Sequence, residues 1–199
     1  INCAAYTAVD KAETDTETAF LVNATASGNL AKAAQASGCF MVHVSTDYVY
    51  DGRNYRPYTE SDTVNPVSVY GKSKLAGEQE VLQSGARAII IRTSWLYSAF
   101  GNNFVKTMIK YGREREALNV VFDQAGTPTY AFDLAKTILD ILPKAVTSRE
   151  TGIFHYSNEG VTSWYDFAKA IHELAGINCR VSPIATRRSE EHTSELQSL

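Results

Sequence analysis

The sequence predicts an α/β fold built on a doubly wound parallel sheet, and three observations carry that prediction. Residues 39–44 (Cys39-Phe40-Met41-Val42-His43-Val44) and 88–93 (Ala88-Ile89-Ile90-Ile91-Arg92-Thr93) are apolar on both faces rather than alternating. Strands that read this way are buried under helices on both sides. Between and before them lie stretches with helical spacing, so the middle of the chain runs helix, strand, loop, helix, strand.

Taken in order, residues 1–6 read as the end of a buried strand. Residues 17–36 place Val22, Ala26, Leu30, Ala33 and Ala34 on one helical face, and Gly38 stops the helix. The strand at 39–44 follows, with Ser45 and Thr46 at its C-terminal end. A polar loop with Tyr and Pro runs from Asp51 to Asn65. Asn65-Pro66 reads as the cap and first position of a helix that continues to about Gln83, with Gly85 as its stop. After the strand at 88–93 and Trp95 the elements shorten. A helix is predicted near 103–111, a strand near 118–122, a helix over 131–142, a strand at 153–156 and a helix over 163–175 capped at Thr162-Ser163. This texture fits a smaller lobe interleaved with the last elements of the sheet domain.

Composition narrows the function classes. The chain has 199 residues, 44% apolar, with 21 aromatic side chains. That excludes disorder, collagen and coiled coil. No apolar run approaches the roughly 18 residues of a membrane helix. A net charge of −3 gives no electrostatic case for nucleic acid. Cys3, Cys39 and Cys179 are odd in number and match no metal or redox spacing, so a reducing cytoplasm is expected. Residues 188–199 resemble a translated sequencing adapter, and without them 18 basic and 19 acidic side chains leave −1. The expectation is an internal fragment of about 187 residues, divided at 1–116 and 117–187, from a chain about half again as long.

Chemistry concentrates at Tyr70-Gly71-Lys72-Ser73-Lys74. Tyr70 and Lys74 are i and i+4 on the predicted helix, so their side chains share a face. A free tyrosine titrates near ~10; a neighbouring ammonium favours phenolate and would make the pair a general acid/base at neutral pH. Alone, this spacing occurs by chance on solvated helices. Ser45 and Thr46 strengthen it, because they end a buried strand where open parallel sheets bind ligands.

The set of Asn2 to Asp10, Ser45-Thr46-Asp47-Tyr48-Val49-Tyr50-Asp51-Gly52, Pro57-Tyr58-Thr59-Glu60 and Tyr70 to Glu78 resembles the extended short-chain dehydrogenase/reductases. Within them it is most similar to the dTDP-4-dehydrorhamnose reductase family. Arg92-Thr93-Ser94-Trp95-Leu96-Tyr97, Asp123 to Thr129 and Gly152 to Asn158 extend the similarity over about residues 1–180. The resemblance implies a Rossmann-type domain with a substrate lobe. It implies NADPH or NADH as cofactor, a dTDP-linked 4-keto-6-deoxy sugar as substrate, and a homodimer as a possible assembly. Tyr70 would be the proton donor, Lys74 would tune it and hold the nicotinamide ribose, and Thr46 would bind the keto oxygen. Ala4, Ala5, Thr7 and Ser45 would line the cofactor; Val9, Tyr48 and Trp95 would contact the substrate. The family's Gly-rich first βαβ unit has no counterpart here, so the chain by itself is expected to bind cofactor poorly and to be inactive. Cys3 and Tyr50 stand where the family more often has Ala and Phe.

Two other classes share this pattern. One is a nucleotide-sugar epimerase or dehydratase; dehydratases carry acidic residues after the strand-end hydroxyl, whereas Tyr48 follows Asp47 here. The other is a regulatory subunit of the same fold without turnover. His43, His155, His172 and His192 show no metal-ligand spacing, and no metal is expected. Asp10, Glu13, Asp15 and Glu17 read as a solvated acidic run, Arg113 to Glu116 as surface pairing, and Trp164, Tyr165 and Phe167 as packing.

Overall fold

The computed structural model describes residues 1–186, which form two compact units. The first comprises residues 1–93 and 134–156, the second 94–133 and 157 onward. The boundary expected at 116/117 falls inside the second unit. The expected tail at 188–199 lies outside the described residues.

The first unit is built on a parallel three-stranded sheet in the order β1 (Met41–Thr46), β2 (Ala88–Thr93), β7 (Gly152–His155). The central strand β2 is buried at all six positions: its apolar run over residues 88–91 requires cover on both faces, and Arg92 and Thr93 are buried with it. One face packs Met41, Ala88 and Ile90 against Ala31 of α3 (Ala26–Ser37) and Val81 of α4 (Val69–Gln83). The other packs Val42, Ile89 and Ile91 against Leu134, Ile138 and Ala145 of α6 (Ala131–Ser148). Helices therefore cover both faces, and the α/β reading holds.

Several local expectations are corrected. The strand predicted over residues 1–6 is a single parallel bridge, Asn2 to His43, after which the chain runs irregularly to α1 (Val9–Ala12). The helix predicted over 17–36 is α2 (Thr16–Phe20), a π-helical turn (Leu21–Thr25) and α3. The π turn inserts a residue and rotates the following face. Asn23, Ala24, Ser27, Gly28 and Ala31 are buried, while Leu30 of the predicted stripe is 48% exposed. Gly38 does end α3, with φ of 69°.

The helix α4 begins three residues later than predicted. Ser68 is its cap, accepting from Gly71 N at 3.1 Å. Asn65 instead donates its backbone N–H to Val49 O at 2.9 Å. The strand predicted over 39–44 is shifted forward by two residues. The last helix of this unit, α6, runs beyond Leu142 and through Pro143.

In the second unit, β4 (Ala117–Val121) pairs in parallel with β9 (Arg180–Ile184). Two short pairs join β3 (Leu96–Tyr97) to β6 (Thr129–Tyr130) and β5 (Ala125–Gly126) to β8 (Thr162–Ser163). The core unites Met108, Leu118, Val120, Ala168, Ile171 and Cys179, supplied in part by α5 (Phe104–Glu114) and α7 (Trp164–Leu174). Asn103 and Ser163 cap these helices. No helix among the described residues is long and apolar enough to cross a membrane.

Candidate active site

The strand β1 delivers Ser45 and Thr46 to the C-terminal edge of the sheet, where a 3-10 turn, Asp47–Val49, follows at once. Thr46 caps that turn: its Oγ1 accepts from Tyr48 N at 3.2 Å and donates to Asp47 Oδ1 at 3.1 Å. The start of α4 lies against this turn. A Cβ on Gly71 would run into the Tyr48 carbonyl, so glycine is what allows the helix to come this close. Further along, a Cβ on Gly77 would strike the carbonyl of Asn23.

That approach places Tyr70 beside Thr46 and Tyr48. The Tyr70 and Tyr48 rings meet edge to face at 5.4 Å, and Tyr70 is 9% exposed. Burial pushes the Tyr70 phenol up to about 12; a hydrogen bond with Thr46 works against this, and Asp47 and Tyr48 add to it. The expected lowering by Lys74 is therefore not what the site produces. Lys74 points its Nζ to Val44 O at 2.8 Å, and its own burial dominates. The ammonium is lowered to about 8 by desolvation, with Glu78 and Cys3 pulling it back. Burial also raises Asp47 to about 6 and Tyr48 to about 12.

The segment 3–8 passes the same strand end. Its Ala4 and Thr7 are exposed, Ala5 half-buried, and Val9 opens α1 beside Tyr70 in a small cluster with Ala12 and Ala19. Asn23 fixes it. Its Oδ1 accepts from Tyr6 N at 2.8 Å, and its Nδ2 donates to Tyr6 O at 3.0 Å and to Ser73 Oγ at 2.9 Å. Sequence reasoning passed over Asn23; the available signal was a polar side chain set between apolar helical neighbours. The acidic run is not merely solvated. Glu13 Oε1 accepts from Val69 N at 2.8 Å at the start of α4, and Asp15 accepts from the Tyr6 hydroxyl at 3.1 Å.

Two predicted residues have other partners in this structure. Ser45 was expected along the cofactor, but its hydroxyl goes to Glu78 Oε1 at 2.5 Å. Trp95, expected on the substrate, belongs to the second unit. There its indole stacks on Trp164 at 3.4 Å and 8°, and Gly126 lies against the ring. Trp95 adopts φ of 45°, a conformation uncommon for a non-glycine residue. Trp164 and Phe167 pack with Phe104, as the sequence suggested. Among the described residues no group of three or more His, Cys, Asp or Glu could hold a metal.

A parallel sheet with helices on both faces defines a Rossmann-like α/β protein, and a Thr, a Tyr and a Lys gathered at its carboxyl edge make a candidate site for proton transfer. The chain matches the family described as "RmlD substrate binding domain" over residues 1–196, and it belongs to that family. It is 45% identical over 177 residues to the dTDP-4-dehydrorhamnose reductase of Aggregatibacter actinomycetemcomitans, covering 88% of this chain and 60% of that protein. The crystal structure of a dTDP-4-dehydrorhamnose reductase from Clostridium acetobutylicum superposes with a TM-score of 0.89 at 48% identity, covering 94% of this chain and 65% of that one. The Bacillus anthracis reductase, crystallised with NADP, gives 0.87 and 44%, covering 94% and 66%. The chain thus spans about three fifths of the length of its curated relatives.

Proposed function

We propose that the protein carrying this chain reduces the C4 keto group of dTDP-4-dehydro-L-rhamnose to give dTDP-L-rhamnose, with NADPH or NADH as reductant. The observation that carries this reading is the convergence of Thr46, Tyr70 and Lys74 at one strand end, in a chain 45% identical to a named reductase.

The residues present suit the nicotinamide end of such a cofactor. Lys74 is 2% exposed, yet uses one of its three N–H groups and makes no ion pair among the described residues. A buried ammonium with donors to spare suits ribose hydroxyls. Tyr70, Ala4, Ala5 and Thr7 would line the same end of the cofactor, whereas the Ser45 hydroxyl is taken by Glu78. When bound there, a reduced nicotinamide supplies a hydride to the carbonyl carbon.

The chain's own residues do the rest. Thr46 orients the keto oxygen by hydrogen bonding, and Tyr70 gives that oxygen its proton. A phenol at about 12 stays protonated at neutral pH. It remains a far stronger acid than an aliphatic alcohol. The raised value therefore suits a donor in the reducing direction. Tyr48 packs on Tyr70 and, with Val9, borders the space for the sugar.

Three free cysteines among the described residues, Cys3, Cys39 and Cys179, support a cytoplasmic location. Assembly as a homodimer follows from the same family reading and is read from sedimentation. The test of function is direct. The full-length protein should consume NADPH or NADH on addition of dTDP-4-dehydro-L-rhamnose and yield dTDP-L-rhamnose by NMR; no consumption of either refutes the proposal.

A further inference from the structure

Glu78 is a buried carboxylate for which the reaction above has no use. It lies in α4 one turn after Lys74 and is 1% exposed. Its Oε1 accepts from Ser45 Oγ at 2.5 Å and Arg92 Nε at 2.9 Å, and its Oε2 from Arg92 Nη2 at 2.6 Å. Ser45, Arg92 and His155 are register partners on β1, β2 and β7, so they share one face of the sheet. Arg92 continues through Nη1 to the Tyr50 hydroxyl at 2.6 Å, which donates to Thr59 O at 2.9 Å and meets His155 Nε2 at 3.0 Å.

A carboxylate withdrawn so completely from water needs such partners. For the fold alone, an apolar pair of similar volume serves as well as a buried ion pair, and often better. The charge at Glu78 therefore calls for a second reason, and Lys74 provides one. The charges that act on the Lys74 ammonium come from Glu78 on its own helix and Cys3 of the leading segment, and His43 of β1 feels it in turn. His43 is held neutral, lowered to about 3 by burial and then by Lys74. Glu78 is the one carboxyl group in this set. It is the foremost influence opposing the desolvation of Lys74.

We propose that Glu78 is a positioning residue for the reaction: locked by Ser45 and Arg92, its carboxylate is the counter-charge one helical turn from Lys74 and fixes the turn of α4 that presents it. This rests on the reading of Tyr70 and Lys74 as the working pair. The ammonium in turn holds the ribose hydroxyls, so turnover falls when Lys74 loses its proton.

The test uses the full-length protein and the double substitution Glu78→Leu/Arg92→Met, which removes both charges and leaves neither unpaired. Glu78→Gln is its companion. Lysine labelled with 13C at Cε reports the Lys74 midpoint in the cofactor-free protein, assigned by loss of the signal in Lys74→Arg. The pH profile of kcat/KM is recorded in parallel. The double variant is expected to stay folded, with the Lys74 midpoint lowered, and Glu78→Gln, which leaves Arg92 charged, to lower it further. The alkaline limb of kcat/KM should move down with it.

An unmoved midpoint in either folded variant overturns the proposal. So does a wild-type Lys74 midpoint below neutrality, which needs no variant at all. If the midpoint shifts but the wild-type protein turns over no keto sugar, the reductase reading fails while the Glu78–Lys74 link stands.

Discussion

Gly71→Ala probes the contact that brings Tyr70 to Thr46. The added Cβ would meet the Tyr48 carbonyl oxygen far inside van der Waals range and stand 3.1 Å from the Pro66 Cβ. The carbonyl is backbone within the 3-10 turn capped by Thr46, so it cannot swing aside like a flexible side chain. The start of α4 must withdraw instead, by about 1 Å to regain an ordinary contact. Overpacking of this kind costs about 1–3 kcal/mol, offset by the ~1 kcal/mol by which Ala outdoes Gly in a helix. A net loss of about 1 kcal/mol lowers Tm by roughly 2–4 °C in a chain this long. Activity should suffer more, because a 1 Å displacement of a reacting group can cost about 10²-fold in rate. The assay is turnover of the keto sugar at saturating NADPH beside a calorimetric melt. Wild-type kcat with an unchanged Tm would refute the idea that close approach at Gly71 sets the Tyr70 geometry.

Other perturbations have equally definite outcomes. Asn23→Ala leaves both backbone groups of Tyr6 without their partner; urea unfolding should show a loss of about 2–4 kcal/mol, and a variant within 0.5 kcal/mol of wild type would contradict the clamp. Asp47 titrates near 6 in the fold, above its unfolded value, so the stability tied to its protonation is present at pH 4 and lost as pH rises through 6. Asp47→Asn should therefore raise Tm at pH 7.5, by up to about 3 kcal/mol of stability, and change little at pH 4; a larger gain at pH 4 would reverse the sign. Trp164→Ala removes the ring stacked on Trp95 and packed on Phe104, and should cost about 3 kcal/mol, while Trp164→Phe restores more than half. An alanine variant as stable as wild type would exclude that stack from the core.

The sheet was legible because the cores of β1 and β2 carry apolar residues on both faces, which is how strands of a parallel, doubly covered sheet read. The site was legible where chemistry depends on spacing along one helix, as for Tyr70 and Lys74, or on position at a strand end, as for Thr46. Long-range partners were not. Nothing local marks Glu13 as the acceptor for Val69 N, or Glu78 as the carboxylate joining Ser45 to Arg92 across three elements. The face of α3 was misread because the π turn shifts its phase and because its buried side is made of Asn, Ser, Gly and Ala, which close packing against α4 favours over larger apolar residues. β9 was passed over because Pro183 and a polar mixture hide a strand that is defined mainly by its pairing with β4.

The proposed proton transfer runs from Tyr70, kept protonated by burial beside Thr46, to the sugar oxygen. Its most direct measurement is single-turnover reduction of dTDP-4-dehydro-L-rhamnose by the full-length Tyr70→Phe variant preloaded with NADPH. Phenylalanine keeps the ring against Tyr48 and removes only the hydroxyl. A rate lowered by about 10²–10⁴, with NADPH affinity within a few-fold of wild type, is the predicted result. Product formed at the wild-type rate would contradict it.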